Sequence, residues 1–329
     1  MKKLINAVDS VMAESLAGFC AAHPEIVSPG EGGKFVRRKN LTQGKVALVS
    51  GGGSGHEPLH AGFVGLGMLD AACPGQVFTS PTPDQMLAAT AAVDTGAGVL
   101  YIVKNYEGDV MNFEMAKEAA PGRVETLVTD DDVAVARSTY STGRRGVAGT
   151  LIVERIVGAA AEEFTELAAL KALGEKVNGL TRSMGVALTS CTVPAAGKPT
   201  FSLADDEMEL GVGIHGEPGR RRAKLMPADL VVADMMRAVI GDLGDAAHGE
   251  AILLVNGFGG TPLMELYLVY HAARRLLDGT GIRVERSLVG NYVTSLEMAG
   301  CSITLSMLDD NLKRLWDAPV HTAALRWRA

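Results

Sequence analysis

The chain has 329 residues, of which 47% are hydrophobic and only 5% aromatic, and its formal net charge is −7. This length favours two domains, with one large α/β domain as the alternative, and the apolar content is ample for cores built mainly from aliphatic side chains. The negative charge argues against a general nucleic-acid binder, which would carry a basic stripe, and is ordinary for a cytoplasmic enzyme.

The N-terminal segment predicts an amphipathic helix rather than a signal peptide. Apolar residues recur at helical spacing from Leu4 to Phe19, and Pro24 ends the pattern. Polar residues such as Asn6 and Asp9 interrupt any apolar core that a signal peptide would need. Because no run of about 18 apolar residues occurs along the chain, we expect no membrane-spanning helix.

Strands and helices alternate over the first half of the chain. Short apolar runs predict strands at 45–50, 98–104 and 124–129, and helical patterns follow at about 110–119, 148–162 and 164–177. This alternation predicts an α/β domain with a largely parallel, doubly wound sheet. Ligands gather at the carboxyl ends of such strands, so the loops after the first two strands are candidates for a binding site.

The pattern changes near residue 183. Strands joined by Pro/Gly loops are predicted within 184–203 and 208–219, followed by a helix near 227–240, a strand at 251–256, a helix near 262–277, and strands at 282–290 and 301–308. Strands with fewer helices predict a separate α+β domain, so we divide the chain into domains 1–183 and 184–329. The tail carries both tryptophans and is expected to pack.

The four cysteines are expected to be buried free thiols. They lie far apart without a CxxC pair, which argues against a disulfide framework or a zinc knuckle and favours a reducing compartment. They are Cys20, Cys73, Cys191 and Cys301.

The stretch GGGSGHEPLH at 51–60 has the appearance of a phosphate-binding loop. A Walker A loop requires a lysine that is missing here, and the dinucleotide-binding pattern GxGxxG lacks its last glycine. We therefore favour a tight turn after a strand, with a positive φ, whose backbone N–H groups approach a small ligand.

The same stretch contains HExxH, the zinc-protease signature, from His56 to His60. That motif requires both histidines on one face of a helix, and Pro58 at its third position is tolerated only where a helix begins. His56 would then precede the helix, so a zinc site is disfavoured and His60 is expected to be a packed or surface residue.

Three further polar segments have competing interpretations. The run Asp130-Asp131-Asp132 could bind a divalent cation, but we favour a helix cap. The segment 143–146, which contains Arg144 and Arg145, could meet an anionic partner, but we favour a solvated loop. In GIHGEPG, glycine lies on both sides of His215, so its imidazole is expected to be reachable.

Taken together, seven segments resemble the substrate-binding K subunit of the dihydroxyacetone kinase family, in the same order along the whole chain. They are SGGGSGHEP (50–58), FTSPTP (78–83), KNYEGD (104–109), GRRGVAGT (143–150), CTVPAAGKP (191–199), EMELGVGIHGEPG (207–219) and WDAPVHT (316–322). Residues 220–250 are not matched. The resemblance implies two α/β-type domains and a homodimer.

The resemblance also implies roles for individual residues. His215 would bond covalently to the carbonyl carbon of dihydroxyacetone as a hemiaminal, and His56 would hydrogen-bond the substrate and assist acid–base chemistry. Asp109 would be the base for the hydroxyl that becomes phosphorylated. The other expected pocket residues are Gly53, Ser54, Gly55 and Lys104.

The sequence has no signature for the nucleotide that phosphoryl transfer requires. We therefore expect no cofactor on this chain and ADP or ATP with Mg²⁺ on a separate nucleotide-binding L-type subunit. The phosphoryl donor of that partner stays open between a phosphotransferase relay and free ATP. Two alternatives stay open for the chain itself: a non-catalytic dihydroxyacetone sensor that acts on transcription, and a kinase subunit for another short ketose such as erythrulose.

Overall fold

The strands and helices of the chain are distributed over two large sheets and one small sheet. The computed structural model describes residues 2–135 and 138–329. The strands are β1 (Val27–Pro29), β2 (Val36–Arg38), β3 (Ala47–Ser54), β4 (Gly65–Leu66), β5 (Ala71–Val77), β6 (Val99–Lys104), β7 (Val124–Thr129), β8 (Thr181–Ala187), β9 (Glu207–Leu210), β10 (Arg221–Lys224), β11 (Gly249–Gly257), β12 (Ile282–Gly290), β13 (Gly300–Leu308), β14 (Val320–Thr322) and β15 (Arg326–Trp327). The helices are α1 (Val11–Ala22), α2 (Pro83–Val93), α3 (Glu107–Ala119), α4 (Gly149–Glu162), α5 (Leu167–Gly179), α6 (Ala228–Leu243), α7 (Leu263–Leu277) and α8 (Asp310–Trp316).

The first sheet has the strand order β1-β2-β5-β3-β6-β7, and β5, β3, β6 and β7 are parallel. Side chains of a strand alternate between its two faces. In β6, Tyr101 packs with α2 and α3, whereas Leu100 and Ile102 pack with α4 and α5. The predicted parallel sheet with helices on both faces is therefore confirmed.

The second sheet has the order β10-β9-β8-β13-β11-β12, in which only β11 and β12 are parallel among the described residues. Helices α6 and α7 cover one face, where Leu253 and Val255 of β11 are buried. Ile252 and Leu254 of the same strand face the core that contains α4. The predicted α+β character of the second half is confirmed.

Helix α4 lies between the two sheets and is buried from Gly149 to Ala161. One hydrophobic cluster joins it to Leu100 of the first sheet and to Leu254 of the second. A helix that is buried on all sides occupies such a central position. One of the three hydrophobic clusters is thus shared by both sheets, and the domain boundary near residue 183 stays a prediction.

The C-terminal tail returns to the first half of the chain. Strand β14 pairs with β4, and Trp316 packs against Trp327 with ring centroids 5.6 Å apart. Arg155 of α4 donates hydrogen bonds to the carbonyl oxygens of Gly67 at 3.0 Å and Trp316 at 2.9 Å. The expectation that the tail packs is confirmed, and all four cysteines are buried and free.

Several elements differ from the sequence prediction. Strand β5 was not predicted, because Pro74 and Gly75 interrupt its apolar run. Helix α2 was not predicted, because its apolar and polar residues are not clearly separated onto two faces. The first helix begins only at Val11. Most of 184–203 and 208–219 is loop rather than strand, because these segments pair with the sheet only through β8 and β9.

Of the aspartates at 130–132, only Asp131 binds a helix N-terminus, whereas Asp132 pairs with Arg145 and Asp130 accepts from Asn178. Asp131 is fully buried and accepts hydrogen bonds from the backbone N–H groups of Val147 at 2.8 Å and Gly149 at 2.7 Å. These groups form the N-terminus of α4, where a carboxylate also complements the helix dipole. Within residues 2–135 and 138–329, no helix is both long and apolar enough to cross a membrane.

Candidate active site

A cleft of about 620 Å³ opens where loops from the two sheets meet. The first sheet contributes the end of β3 and the segment after β6, and the second sheet contributes the loop that follows β9. The residues that line the cleft include Gly53, Phe78, Thr79, Ser80, Tyr106, Glu107, Gly108, Asp109, Asn112, Tyr140, Val193, Thr200 and His215. Three of the seven predicted site residues, Gly53, Asp109 and His215, therefore line the same cleft.

The imidazole of His215 lies inside a cage of three aromatic rings. Its ring centroid is 4.7 Å from that of His56, 5.1 Å from that of Phe78 and 4.6 Å from that of Tyr106, all edge to face. Edge-to-face contacts are a preferred geometry for such rings and restrict their rotation. The cage holds the imidazole in one orientation while its side chain stays 15% exposed.

Glu217 determines which nitrogen of His215 carries the proton. Its Oε1 accepts a hydrogen bond from Nδ1 of His215 at 2.9 Å, and its Oε2 accepts one from the backbone N–H of His215 at 2.9 Å. Burial opposes ionisation of Glu217, but His215 and then Arg145 outweigh it and hold the pKa of Glu217 at about 2. A neutral His215 with its proton on Nδ1 has the lone pair on Nε2.

His56 is a buried acceptor. Its Nδ1 lies 2.7 Å from the carbonyl oxygen of Thr294, which can only accept, so Nδ1 donates and Nε2 carries the lone pair. Nε2 is buried and has no hydrogen-bond partner in the described part of the chain. Burial first, and then His215 and Lys104, lower the pKa of His56 well below its ordinary value. His56 is therefore neutral at physiological pH and can accept a hydrogen bond from a ligand.

Asp109 lies in the first turn of α3, where a carboxylate is favoured by the helix dipole. Its Oδ2 is 3.4 Å from Nζ of Lys104, which is the last residue of β6. Lys104 is buried and lies behind Asp109 rather than on the cleft wall. The segment KNYEGD thus brings one lysine and one carboxylate together at the strand end.

Arg145 corrects the prediction of a solvated loop at 143–146. It is fully buried and donates hydrogen bonds through Nε to Asp132 at 2.8 Å and through Nη2 to the carbonyl oxygen of Gly211 at 2.7 Å. A Cβ on Gly213 would lie 2.0 Å from Oε2 of Glu217 and 2.7 Å from Nη1 of Arg145. The absence of that Cβ lets the guanidinium lie near Glu217, and pairing with Asp132 offsets its desolvation.

Ser54 and Gly55 face away from the cleft. They line a second cavity of about 630 Å³ beneath α1. Ser54 Oγ donates to the carbonyl oxygen of Gly75 at 2.7 Å, and the N–H of Gly55 is held by the carboxylate of Glu57. The glycines also differ from the predicted turn, because Gly51 to Gly53 continue β3 and only Gly55, at φ 105°, has the positive φ.

The HExxH segment does not form a helix. Residues 57–60 are turns, so His56 and His60 do not share a helix face. His60 is buried, which agrees with the packed alternative of the prediction, and its partners are polar. Among the residues that the structure describes, no group of three or more His, Cys, Asp or Glu side chains is arranged to hold a metal ion.

The site contains functional side chains that the sequence did not single out. Glu217 lies two residues after His215 in the quoted motif, so its proximity was available as a signal. Phe78 and Tyr106 belong to quoted segments but were assigned no role. Nothing in the sequence pairs Arg145 with Asp132, because that contact depends on how two loops fold.

Comparison with known proteins identifies similar chains over nearly the full length. The model of the Dak1 domain family matches residues 17–324. The chain is 52% identical over 313 residues to the PTS-dependent dihydroxyacetone kinase 1, dihydroxyacetone-binding subunit DhaK, of Listeria innocua, with 94% of this chain and 95% of that protein covered. It is 48% identical over 354 residues to the PEP-dependent dihydroxyacetone kinase, dihydroxyacetone-binding subunit DhaK, of Escherichia coli, with 99% of each covered.

Two solved structures with more than 30% sequence identity to this chain have the same fold. The dihydroxyacetone kinase operon co-activator Dha-DhaQ superposes with a TM-score of 0.88 at 35% identity, covering 95% of this chain and 97% of that chain. The dihydroxyacetone kinase from C. freundii in complex with AMP-PNP and Mg²⁺ superposes with a TM-score of 0.87 at 33% identity. This chain is covered to 99% and that chain to 61%.

Proposed function

The chain belongs to the Dak1 family, and we propose that it is the dihydroxyacetone-binding subunit of a dihydroxyacetone kinase, a phosphotransferase that forms dihydroxyacetone phosphate. The observation that carries this proposal is the histidine held at the cleft. Glu217 fixes the proton of His215 on Nδ1 at 2.9 Å, and the ring faces His56 beside Asp109.

His215 binds the ketone covalently. Its Nε2 lone pair attacks the carbonyl carbon, and a C–N bond forms while the C=O double bond becomes a single bond. The ring loses the proton on Nδ1 and the former carbonyl oxygen gains one, so the hemiaminal contains all the atoms of histidine and ketone. His56 accepts a hydrogen bond from the bound molecule through Nε2, which is free for that purpose in the described structure.

Covalent capture explains how a very small molecule is selected. Dihydroxyacetone offers little surface for ordinary binding, and a bond to His215 fixes its position. Glycerol has comparable hydroxyl groups but no carbonyl group, so it cannot form the adduct. The site therefore discriminates through bond formation rather than through contact area.

Asp109 serves the phosphorylation step. Its carboxylate accepts the proton of the terminal hydroxyl as that oxygen attacks the phosphorus atom of a phosphoryl group presented by the partner. The acidic group lies on the cleft wall and its Oδ2 is 3.4 Å from Lys104 Nζ. The lysine offsets the negative charge on the attacking side of the cleft.

A separate subunit brings the nucleotide, ADP or ATP with Mg²⁺. Both bacterial relatives are named as subunits of a kinase and are matched over nearly their whole length, which supports a partner. Helix α3 carries two exposed methionines, Met111 and Met115, beside the cleft, where Tyr140 is also exposed. An L-type subunit that covers the cleft mouth would bury these side chains.

A second copy of the chain covers the exposed side of α7, and the assembly is a cytoplasmic homodimer. Four apolar side chains of α7 are more than half exposed: Leu263, Met264, Tyr267 and Leu268. Exposed apolar patches of this kind mark protein interfaces, and a twofold dimer buries the same patch on both copies.

A sensor of dihydroxyacetone that acts on transcription is the second candidate. It is favoured by the similarity to the co-activator Dha-DhaQ, which has a TM-score of 0.88. A sensor needs the covalent histidine but no base for phosphorylation. The presence of Asp109 on the cleft wall supports the kinase.

The deciding experiment combines intact mass spectrometry with reconstitution. The purified chain is expected to gain the mass of one dihydroxyacetone and no mass from glycerol, and His215→Ala should abolish the gain. An adduct that persists in His215→Ala would contradict the role of this histidine.

The chain is then combined with the nucleotide-binding subunit encoded beside it, with ATP or a phosphoenolpyruvate relay, and with dihydroxyacetone or erythrulose. Adduct formation without any phosphorylation would favour the sensor.

A further inference from the structure

A buried chain of polar side chains extends behind Asp109, away from the cleft. Lys104 Nζ donates hydrogen bonds to the carbonyl oxygen of Gly51 at 3.3 Å, to His60 Nε2 at 3.0 Å and to Asp109 Oδ2 at 3.4 Å. A Cβ on Gly52 would lie 2.3 Å from this Nζ, so a larger residue there would displace the ammonium group from its present position. Each of the three N–H bonds of the ammonium group thus points at an acceptor, and one of these acceptors is the proposed base, Asp109.

The contact with Lys104 determines the tautomer of His60. An ammonium group can only donate, so His60 Nε2 accepts and the ring proton lies on Nδ1. That proton faces Glu154 Oε1 at 2.5 Å and Ser50 Oγ at 3.0 Å. Because Ser50 donates its own proton to the carbonyl oxygen of Ile102 at 2.6 Å, its oxygen is an acceptor towards His60.

Glu154, in the middle of α4, is the last member of this buried series of polar side chains. It is fully buried, and its Oε2 has no hydrogen-bond partner within the described ranges. The groups that face it are Lys104 from β6, Ser50 from β3 and His60 from the loop that follows β3. Its charged neighbour on α4, Arg155, points instead to the carbonyl oxygens beside the C-terminal tail.

A carboxyl group is an unfavourable choice for this position unless it has a function. Most of the buried side chains of α4 are apolar and lie at the centre of the core, and an unpartnered buried oxygen lowers stability. Burial raises the pKa of Glu154 to about 8, although Lys104 opposes that shift. The carboxyl group therefore changes its charge within the pH range in which enzymes are assayed.

We propose that Glu154 and His60 are positioning residues for the phosphorylation step, which act on Asp109 through Lys104. This inference rests on the proposed function. Glu154 holds the Nδ1–H tautomer of His60, that tautomer offers Nε2 to Lys104, and Lys104 is held where it contacts the base. An ionised Glu154 adds one negative charge to the buried chain, which strengthens the proton affinity of Asp109, so turnover rises as Glu154 ionises.

The test uses the full chain with its partner subunit and measures two properties of each variant. The first is the dihydroxyacetone adduct by intact mass, which reports on His215. The second is turnover between pH 6.5 and 9.5. Glu154→Gln keeps the size of the side chain but cannot ionise. Glu162→Gln is the matched control, because it removes an acidic group from the end of the same helix, where Glu162 pairs with Arg38.

Glu154→Gln is expected to form the adduct as the parent does, to lose about tenfold or more in turnover at pH 9, and to lose the rise through about pH 8. Glu162→Gln should keep that rise. A Glu154→Gln profile identical to the parent's would overturn the inference, and so would a parallel loss of adduct and turnover with a lower melting temperature. A parent that forms the adduct but is never phosphorylated overturns the proposed function and this inference with it.

Two variants of His60 test which of its two contacts, with Lys104 or with Glu154, matters for turnover. In His60→Gln the amide oxygen can replace Nε2 as the acceptor for Lys104, whereas in His60→Asn the amide nitrogen can replace Nδ1 as the donor to Glu154. If turnover depends on the hydrogen bond between Lys104 and position 60, His60→Gln should retain more turnover than His60→Asn. Both variants should still form the adduct. The reverse order contradicts the assignment.

Discussion

Glu217 holds His215 at two points, since its Oε1 lies 2.9 Å from Nδ1 and its Oε2 lies 2.9 Å from the backbone nitrogen of the same residue. One carboxylate therefore orients both the ring and the loop that carries it. This double contact directs the Nε2 lone pair of His215 away from Glu217, which is the arrangement that a nucleophilic histidine requires.

Glu217→Gln should weaken the capture of dihydroxyacetone. Glutamine has one oxygen instead of two, so it cannot accept from both Nδ1 and the backbone N–H. Because hydrogen bonds to charged groups contribute about 1.5–3 kcal/mol, the apparent dissociation constant should rise about tenfold or more. Isothermal titration with dihydroxyacetone measures this change, with Glu175→Gln on the exposed side of α5 as the control. Unchanged affinity would remove Glu217 from the binding step.

Asp109→Asn should separate binding from turnover. The amide cannot accept the hydroxyl proton, so turnover with the partner subunit should fall about 100-fold or more, the range found for lost general bases. The adduct on His215 should still form, because Asp109 does not contact the reacting nitrogen. Single-turnover phosphorylation alongside intact mass distinguishes the two. Near-normal turnover would reject Asp109 as the base.

Acid should destabilise the protein partly through Glu217. The pKa of this carboxyl is about 2 in the folded chain against an ordinary value of 4.5, because the effects of His215 and Arg145 outweigh burial. A lowered pKa contributes stability that is present above about pH 4.5 and is lost as the pH falls towards 2. The contribution is on the order of 3 kcal/mol.

Urea unfolding at several pH values measures that contribution. The parent's advantage over Glu217→Gln in the free energy of unfolding should be largest at neutral pH and shrink between about pH 4.5 and pH 2. A difference that does not change with pH over this range would show that Glu217 stabilises the fold without being ionised.

The apolar side of α7 should govern self-association. Leu268→Glu introduces a charge into a patch with Met264 and Tyr267, so it should shift the chain from dimer to monomer in light scattering. Leu4→Glu is the control, because Leu4 is also exposed but lies in the other half of the chain. A Leu268→Glu variant that remains dimeric would place the interface elsewhere.

The rim of the cleft should govern the contact with the partner subunit. Met115 is 52% exposed on α3, one turn from Met111, and neither side chain lines the cleft itself. Met115→Glu should raise the partner concentration needed for half-maximal turnover by about tenfold, since charges are disfavoured at interface cores. Adduct formation should be unchanged. Equal sensitivity to the partner in variant and parent would exclude α3 from the contact.

The sequence predicted those parts of the structure that depend on local pattern. Strand β6 was found from its apolar run and β7 from a shorter one that contains Glu125 and Thr126, and His215 was found from the open backbone around it. The start of helix α2 could also have been predicted, because Pro83 occupies its first position and Thr82 forms a capping box with Gln85.

The contacts that complete the site could not be predicted in this way. His60 meets Glu154 only after segments 94 residues apart have packed, and Asp132 meets Arg145 only through the fold of the loop between β7 and α4. A charged residue in a short polar segment is exposed in most proteins, so Arg145 was assigned to solvent. Its burial depends on a partner that no periodicity identifies.

The hydrophobic cluster around α4, which both sheets share, restricts how this protein can be divided or recombined. The cleft-lining loops of one sheet face His215 of the other, because α4 packs against both sheets. A gene cut near residue 183 would leave each fragment with half of a shared interior exposed to water. Exchange of one half between relatives should therefore succeed only when the residues along α4 are exchanged with it.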